Sequence, residues 1–153
     1  MLIERAKLAL DRPAPGLATS LGRELLRPTR IYVPVVRELL QRLPTGTIRA
    51  MAHITGGGLP GNLPRVLPKG CRAVVQRGAW RVPPIFGLIE RLGHVSRTEM
   101  DKTFNNGIGY VLVVAAARAD RVLDHLRRRR VSARRIGVVA RGTRGLTFVE
   151  GDA

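Results

Sequence analysis

Cysteine is almost missing from this 153-residue chain: Cys71 stands alone. One thiol excludes an internal disulfide framework and a cysteine-based metal cluster, and it fits a reducing, cytoplasmic setting. Aromatic residues make up only 4% of the sequence, too few for a stacking platform on single-stranded nucleic acid. No apolar run approaches the roughly 18–20 residues that a membrane-spanning helix needs, so no membrane partner is expected. Paired carboxylates, an HExxH motif and a Ser-His-Asp order are all absent, and no metal ligand is assigned.

What the chain has instead is positive charge, formally +16. Such an excess points to a polyanionic partner: nucleic acid, an acidic protein or a phosphorylated substrate. Only three of the 27 basic residues are lysine, however, and outside residues 127–130 and 134–135 they are scattered. An arginine bias of this kind also arises from GC-rich coding. No recognition motif accompanies the charge, so nucleic acid is not the expected partner. The apolar fraction of 44% is that of a globular protein, and residues 1–153 read as one domain.

Periodicity places the elements. Residues 2–10 carry helical spacing and read as an amphipathic helix, broken by DRPAPG at 11–16. A short helix is expected at 20–26. A longer one is expected from about Ile31, capped by Thr29, with Pro34 in its first turn and Pro44 and Gly46 at its end. TIRAMAHI (47–54) and CRAVVQ (71–76) read as strands, with one or two helical turns between them at NLPRVLP (62–68). Helices are predicted at 83–93, stopped by Gly93, and at 96–104, where Ser96 and Glu99 have capping-box spacing. The run IGYVLVVA (108–115) predicts a strand buried on both faces. An amphipathic helix at 118–129 and strands at 135–141 and 143–150 follow, the last at an edge. The class is α/β (α+β), a mixed β-sheet flanked by helices, with 108–140 forming a strand–helix–strand unit.

Three segments can carry chemistry. In AHITGGGLPGNLPRVLP (52–68) a strand delivers His53 to three consecutive glycines. Backbone N–H groups of such a turn can cradle an anion, and Arg65 could add a forked donor. A tight turn with unusual dihedrals is the plain alternative; His53, Thr55 and Arg65 beside the glycines favour a ligand site. No Gly-Lys-Ser/Thr follows, so the loop is not a Walker A motif. In TFNNGIGY (103–110), Asn105, Asn106 and Gly107 make a turn, and Gly107 and Gly109 suggest close approach to another backbone; a hairpin or bulge explains them equally well. In LLRPTRIY (25–32), Arg30 is a substrate contact or a solvated surface residue. Of the three histidines, His94 and His125 read as surface residues, and His53 is the candidate general acid or base.

Taken in order and spacing, these segments, with WRVPPIFGLIERLGHVSRTEMDKTFNNGIGYVLVV and RIGVV, resemble the C-terminal half of phosphoribosylformylglycinamidine cyclo-ligase, also called aminoimidazole ribonucleotide synthetase. The resemblance covers about residues 20–150. It implies a place in ATP-dependent ring closure of formylglycinamidine ribonucleotide during purine biosynthesis, with Mg²⁺ assisting the nucleotide and a homodimer as the working form. It makes His53 the catalytic candidate and Arg30, Thr55, Gly56, Gly57, Gly58, Asn62, Arg65, Asn105, Gly107 and Gly109 the substrate- or nucleotide-binding candidates. The family's N-terminal ATP-binding domain is not represented, so the chain is expected to be inactive alone and to need a separate polypeptide carrying that half. The alternative is a stand-alone module that binds a phosphorylated metabolite or an acidic partner without catalysis. The chain departs from the family at Gly61, usually glutamate, and at Asp101 and Lys102, usually an aromatic and an arginine.

Overall fold

The computed structural model describes residues 2–4 and 6–151. The first expected helix is not there: the described part of 2–10 forms turns, and Arg5 lies outside the described residues. Lys7 takes a left-handed φ of 54°, which ends any right-handed helix, and the Leu8 amide donates instead to the Leu2 carbonyl at 3.2 Å. Helix α1 (Leu21–Leu25) is capped by Ser20. Helix α2 (Val33–Arg42) carries Pro34 in its first turn, as expected, but its cap residue is Tyr32, not Thr29, and no side chain makes the cap bond. Proline there costs little because the first-turn amides have no helical partner.

Strand β1 (Ile48–His53) leads into α3 (Gly58–Asn62), which runs directly into a 3₁₀ turn (Leu63–Val66). The helical segment therefore begins inside the glycine run, earlier than its prolines suggest. Next come β2 (Cys71–Gln76), α4 (Pro84–Gly93) and α5 (Arg97–Thr103). The α4 stop is His94, which adopts φ 50°, one residue beyond the expected Gly93. At α5 the Ser96 hydroxyl accepts from the Glu99 amide at 3.3 Å, while the Glu99 carboxylate pairs with Lys102, so half of the capping box forms. Ser96→Ala is expected to cost about 1 kcal/mol, measured as a lowered urea midpoint at unchanged slope.

Strand β3 (Tyr110–Val114), helix α6 (Ala119–Arg128), β4 (Gly137–Arg141) and β5 (Gly145–Val149) complete the chain. The strands form two sheets. One pairs β1 and β3 antiparallel, with His53 opposite Tyr110. The other has order β4-β2-β5, with β2 antiparallel to β4 and parallel to β5. This is the mixed α/β arrangement expected, with β5 at an edge. The unit β3–α6–β4 joins the two sheets and does not return to one. Strand β3 pairs on one side only and is not buried on both faces: Val111 is its one buried residue, and the other four are partly exposed. An apolar cavity of about 760 Å³ is lined by Val111 and Val113 of one sheet, Val139 of the other, and Leu39 and Val122 of the helices.

Burial concentrates in three clusters. Ile54, Leu59, Leu63, Ala73 and Val75 pack where β1, α3 and β2 meet. Leu21, Leu88, Ile89 and Met100 join α1, α4 and α5. Leu39, Leu43, Val122 and Leu126 join α2 to α6. Across this last contact Glu38 accepts from Arg129 Nε at 2.7 Å and also pairs with its Nη2; His125 Nε2 stands 3.3 Å from the same carboxylate oxygen. His125 is thus half-buried between helices, not a surface residue. The Arg129 hydrogen bond holds the Glu38 carboxyl below the usual range. The stabilisation from this lowered pKa is therefore present at neutral pH and is lost as pH falls through the lowered value.

Candidate functional site

The end of β1, the loop before α2 and the turn before β3 converge on one cleft of about 530 Å³. The antiparallel register sets its floor. His53 and Tyr110 face each other across the ladder, and the Tyr32 ring packs on both, with centroids 5.8 Å from His53 and 5.0 Å from Tyr110. Both tyrosines of the chain are spent here. Gly109 makes the packing possible: a Cβ there would overlap the Tyr32 hydroxyl and lie 3.1 Å from its Cζ. The close approach expected at Gly109 is real, but the visitor is a side chain rather than another backbone. At Gly107 it is the Pro83 ring, whose Cγ would lie 3.0 Å from an added Cβ.

Of the candidates from sequence, Arg30, His53, Thr55, Gly56, Asn105, Gly107 and Gly109 line this cleft. Gly57, Gly58, Asn62 and Arg65 do not. Asn62 is buried behind the loop and ties it shut, its Nδ2 donating to the Gly56 carbonyl at 3.1 Å and the Gly58 carbonyl at 2.8 Å. Gly57 takes φ 94° at the start of α3, a conformation suited to glycine. Gly58 is buried against the end of α5. Arg65 sits exposed on the 3₁₀ turn. The glycine run therefore divides. Gly56 faces the cleft with nothing within 4 Å of a would-be Cβ, and the next two glycines serve the turn and its packing. Gly61 also has open space for a side chain, and it lies outside the cleft lining.

Sequence reasoning missed Tyr32, Phe86, Thr103 and Phe104, which also line the cleft. Tyr32 stands two residues from Arg30 in the PTRIY string, a signal that could have found it. Phe86 and Phe104 meet only in three dimensions, with ring centroids 5.7 Å apart.

The chemistry of the lining is one-sided. Arg30 supplies a forked cation, Thr29, Thr55 and Thr103 supply hydroxyls, and Asn105 supplies an amide; among the described residues no carboxylate lines the cleft. Asn105 Oδ1 is committed to the Gly107 amide at 2.9 Å, which turns its NH₂ group outward as a donor. His53 is exposed at the cleft and its ring can both donate and accept. Such a donor-rich, acid-free hollow with apolar walls suits an anion carrying a flat or sugar-like body. Among the described residues no group of three or more His, Cys, Asp or Glu side chains could hold a metal ion, and no helix is long and apolar enough to cross a membrane.

Residues 1–149 match the family model for the C-terminal domain of AIR synthase related proteins. The chain is 48% identical over 149 residues to a phosphoribosylformylglycinamidine cyclo-ligase of Myxococcus xanthus, an alignment covering 97% of this chain and 42% of that one. It is 44% identical over 151 residues to the protein of the same name in Geobacillus kaustophilus, covering 99% of this chain and 42% of that one. The chain thus spans about two fifths of the length of the curated relatives it matches. The match runs through the cleft loops and the strands that carry them, and on this ground the chain belongs to the AIR synthase related protein family, as a C-terminal domain.

Proposed function

We propose that this domain supplies one wall of the substrate cleft of a phosphoribosylformylglycinamidine cyclo-ligase. The observation that carries the reading is the cleft, without a carboxylate among the described residues, in which Arg30, Thr55, Asn105 and His53 converge beside Tyr32, itself packed on Tyr110. Arg30 and the hydroxyls bind the phosphate of the ribonucleotide, and Tyr32, packed on Tyr110, flanks its apolar face. Gly56 lets the ligand reach the main chain without a side chain in the way. In the ring closure a C–N bond forms, the bond from carbon to the phosphorylated oxygen breaks, and the closing nitrogen loses a proton. His53, at the cleft rim, receives that proton.

ATP supplies the phosphoryl group that makes the formyl oxygen a leaving group. The Mg²⁺ that the family associates with the nucleotide does not fit the described residues, among which no acidic cluster is at hand to hold it. On this reading the acidic ligands and the second wall are supplied by another polypeptide or domain, with a homodimer as the assembled form. The isolated chain is therefore expected to bind ribonucleotide and to release no phosphate. A module that binds a phosphorylated metabolite without turnover is the second reading, favoured by the same lack of an acid cluster.

Titration calorimetry with formylglycinamidine ribonucleotide tests the cleft. Charge-assisted hydrogen bonds of the kind assigned to Arg30 contribute about 1.5–3 kcal/mol, so Arg30→Ala is expected to raise Kd roughly 10- to 100-fold. An unchanged Kd would remove the phosphate from this cleft. Complementation by a separate ATP-binding half, restoring phosphate release, separates the enzyme from the pure binder.

A further inference from the structure

Asp101 is the one charged side chain that is buried among the described residues, 7% exposed. Its two oxygens go to different places. Oδ2 accepts from Arg77 Nη2 at 2.6 Å, and Oδ1 accepts from Asn106 Nδ2 at 3.1 Å. Arg77 lies just beyond β2, and its guanidinium sits 4.1 Å over the Phe148 ring of β5. The carboxylate therefore connects the three-stranded sheet to the turn that opens the cleft.

That turn needs holding. Asn106 stands at φ 48°, a left-handed conformation that costs a non-glycine residue free energy, and Gly107 follows at φ 95°. Trp80 Nε1 donates to the Asn106 carbonyl at 2.9 Å, and the Asn106 side-chain amide donates to Asp101 at 3.1 Å and to the Met100 carbonyl at 3.4 Å. Asn105 and Gly107, on either side, line the cleft. The last turn of α5, which carries Asp101, also presses on the opposite wall: the Phe104 carbonyl would lie 2.7 Å from a Cβ on Gly58, next to the loop that presents Thr55 and Gly56. Both walls are thus referred to one helix end, and the Asp101 carboxylate ties that end to Arg77 beside the sheet.

We propose that Asp101, acting through Arg77 and Asn106, is a positioning residue that sets the placement of Asn105 and Gly107 against the glycine loop. It touches no ligand itself. The proposal rests on the ribonucleotide-cleft reading for its consequence, though not for its geometry, and the experiment separates the two.

Asp101→Asn keeps the shape and removes the closer and more buried of the two carboxylate charges on Arg77, the other being Glu150 at 3.4 Å. In ligand-free ¹H–¹⁵N spectra of the full chain, the amide signals of residues 105–107 and of Gly56 are expected to move, and Kd for formylglycinamidine ribonucleotide to rise roughly tenfold or more. Arg77→Lys, which keeps the charge and loses the fork, is expected to move the same signals less. A variant that loses thermal stability yet leaves those amide signals in place and Kd within about twofold overturns the proposal. If the wild-type chain binds no ribonucleotide, the cleft reading fails, and the ligand-free amide signals alone decide the positioning role.

Discussion

Gly58→Ala is expected to cost about 3 kcal/mol or more, a large share of the roughly 5–15 kcal/mol that holds a domain of this size together. Two terms add. The residue stands at φ 56°, where an L side chain costs about 1–2 kcal/mol. The added methyl would also overlap the Asp101 carbonyl oxygen and lie 2.7 Å from the Phe104 carbonyl. These are backbone atoms of α5 and its end, so no rotamer change relieves the clash, and overpacking of this kind costs about 1–3 kcal/mol. Gly56→Ala is the control. It has open space and no positive φ, and it should stay within about 0.5 kcal/mol. Urea unfolding of the two variants side by side checks the account; equal losses would mean that the run is a uniform turn, with no packing role for Gly58.

Leu88→Ala should be comparably severe, about 2–5 kcal/mol. Leu88 is fully buried in the cluster that joins α1, α4 and α5, where Phe86 and Phe104 pack at the margin. Those two rings also line the cleft, so a cavity beneath them loosens its wall as well as the core. In a chain of this length each kcal/mol shifts Tm by about 2–4 °C, which gives an expected fall of roughly 5–15 °C by calorimetry. A fall below about 3 °C would show that α4 collapses into the space, and that the cleft does not depend on this cluster.

Local pattern carried the elements whose partner faces are set by their own sequence. The stripe of Val122, Leu123 and Leu126 on α6, the Ser96 cap and the β1 strand before the glycines all follow from spacing alone. The same rule misled at 2–10: Ile3 and Leu10 are 46% and 48% exposed, and Leu2 and Leu8 reach the core from non-helical backbone, not from one helical face. Sheet membership was not legible either, because the run from 110 to 114 looks alike whether one edge or two are paired. For the cleft, the glycine loop, Arg30 and the 105–109 turn could be named from their strings. The division of labour within TGGG could not, since it depends on how closely α5 approaches. Asp101 could be marked only as a departure from the family pattern, with no sign of what it holds. On paper it is one more charge on a polar helix, and only the fold brings Arg77 to it.

The parallel ladder of β2 with β5 has a consequence in time as well as in space. Arg72 and Thr147, hydrogen-bonded at 2.6 Å, are 75 positions apart in the chain. Pairings that close such long loops pay their entropy before any contact repays it, and they form late. During synthesis β2 therefore emerges with neither neighbour made, and its Ala73, Val74 and Val75 stay open until residues 137–149 have followed. A nascent chain stalled within that interval presents a sticky, unpaired strand, and a chaperone that shields extended apolar segments should engage it there and release it once β5 docks.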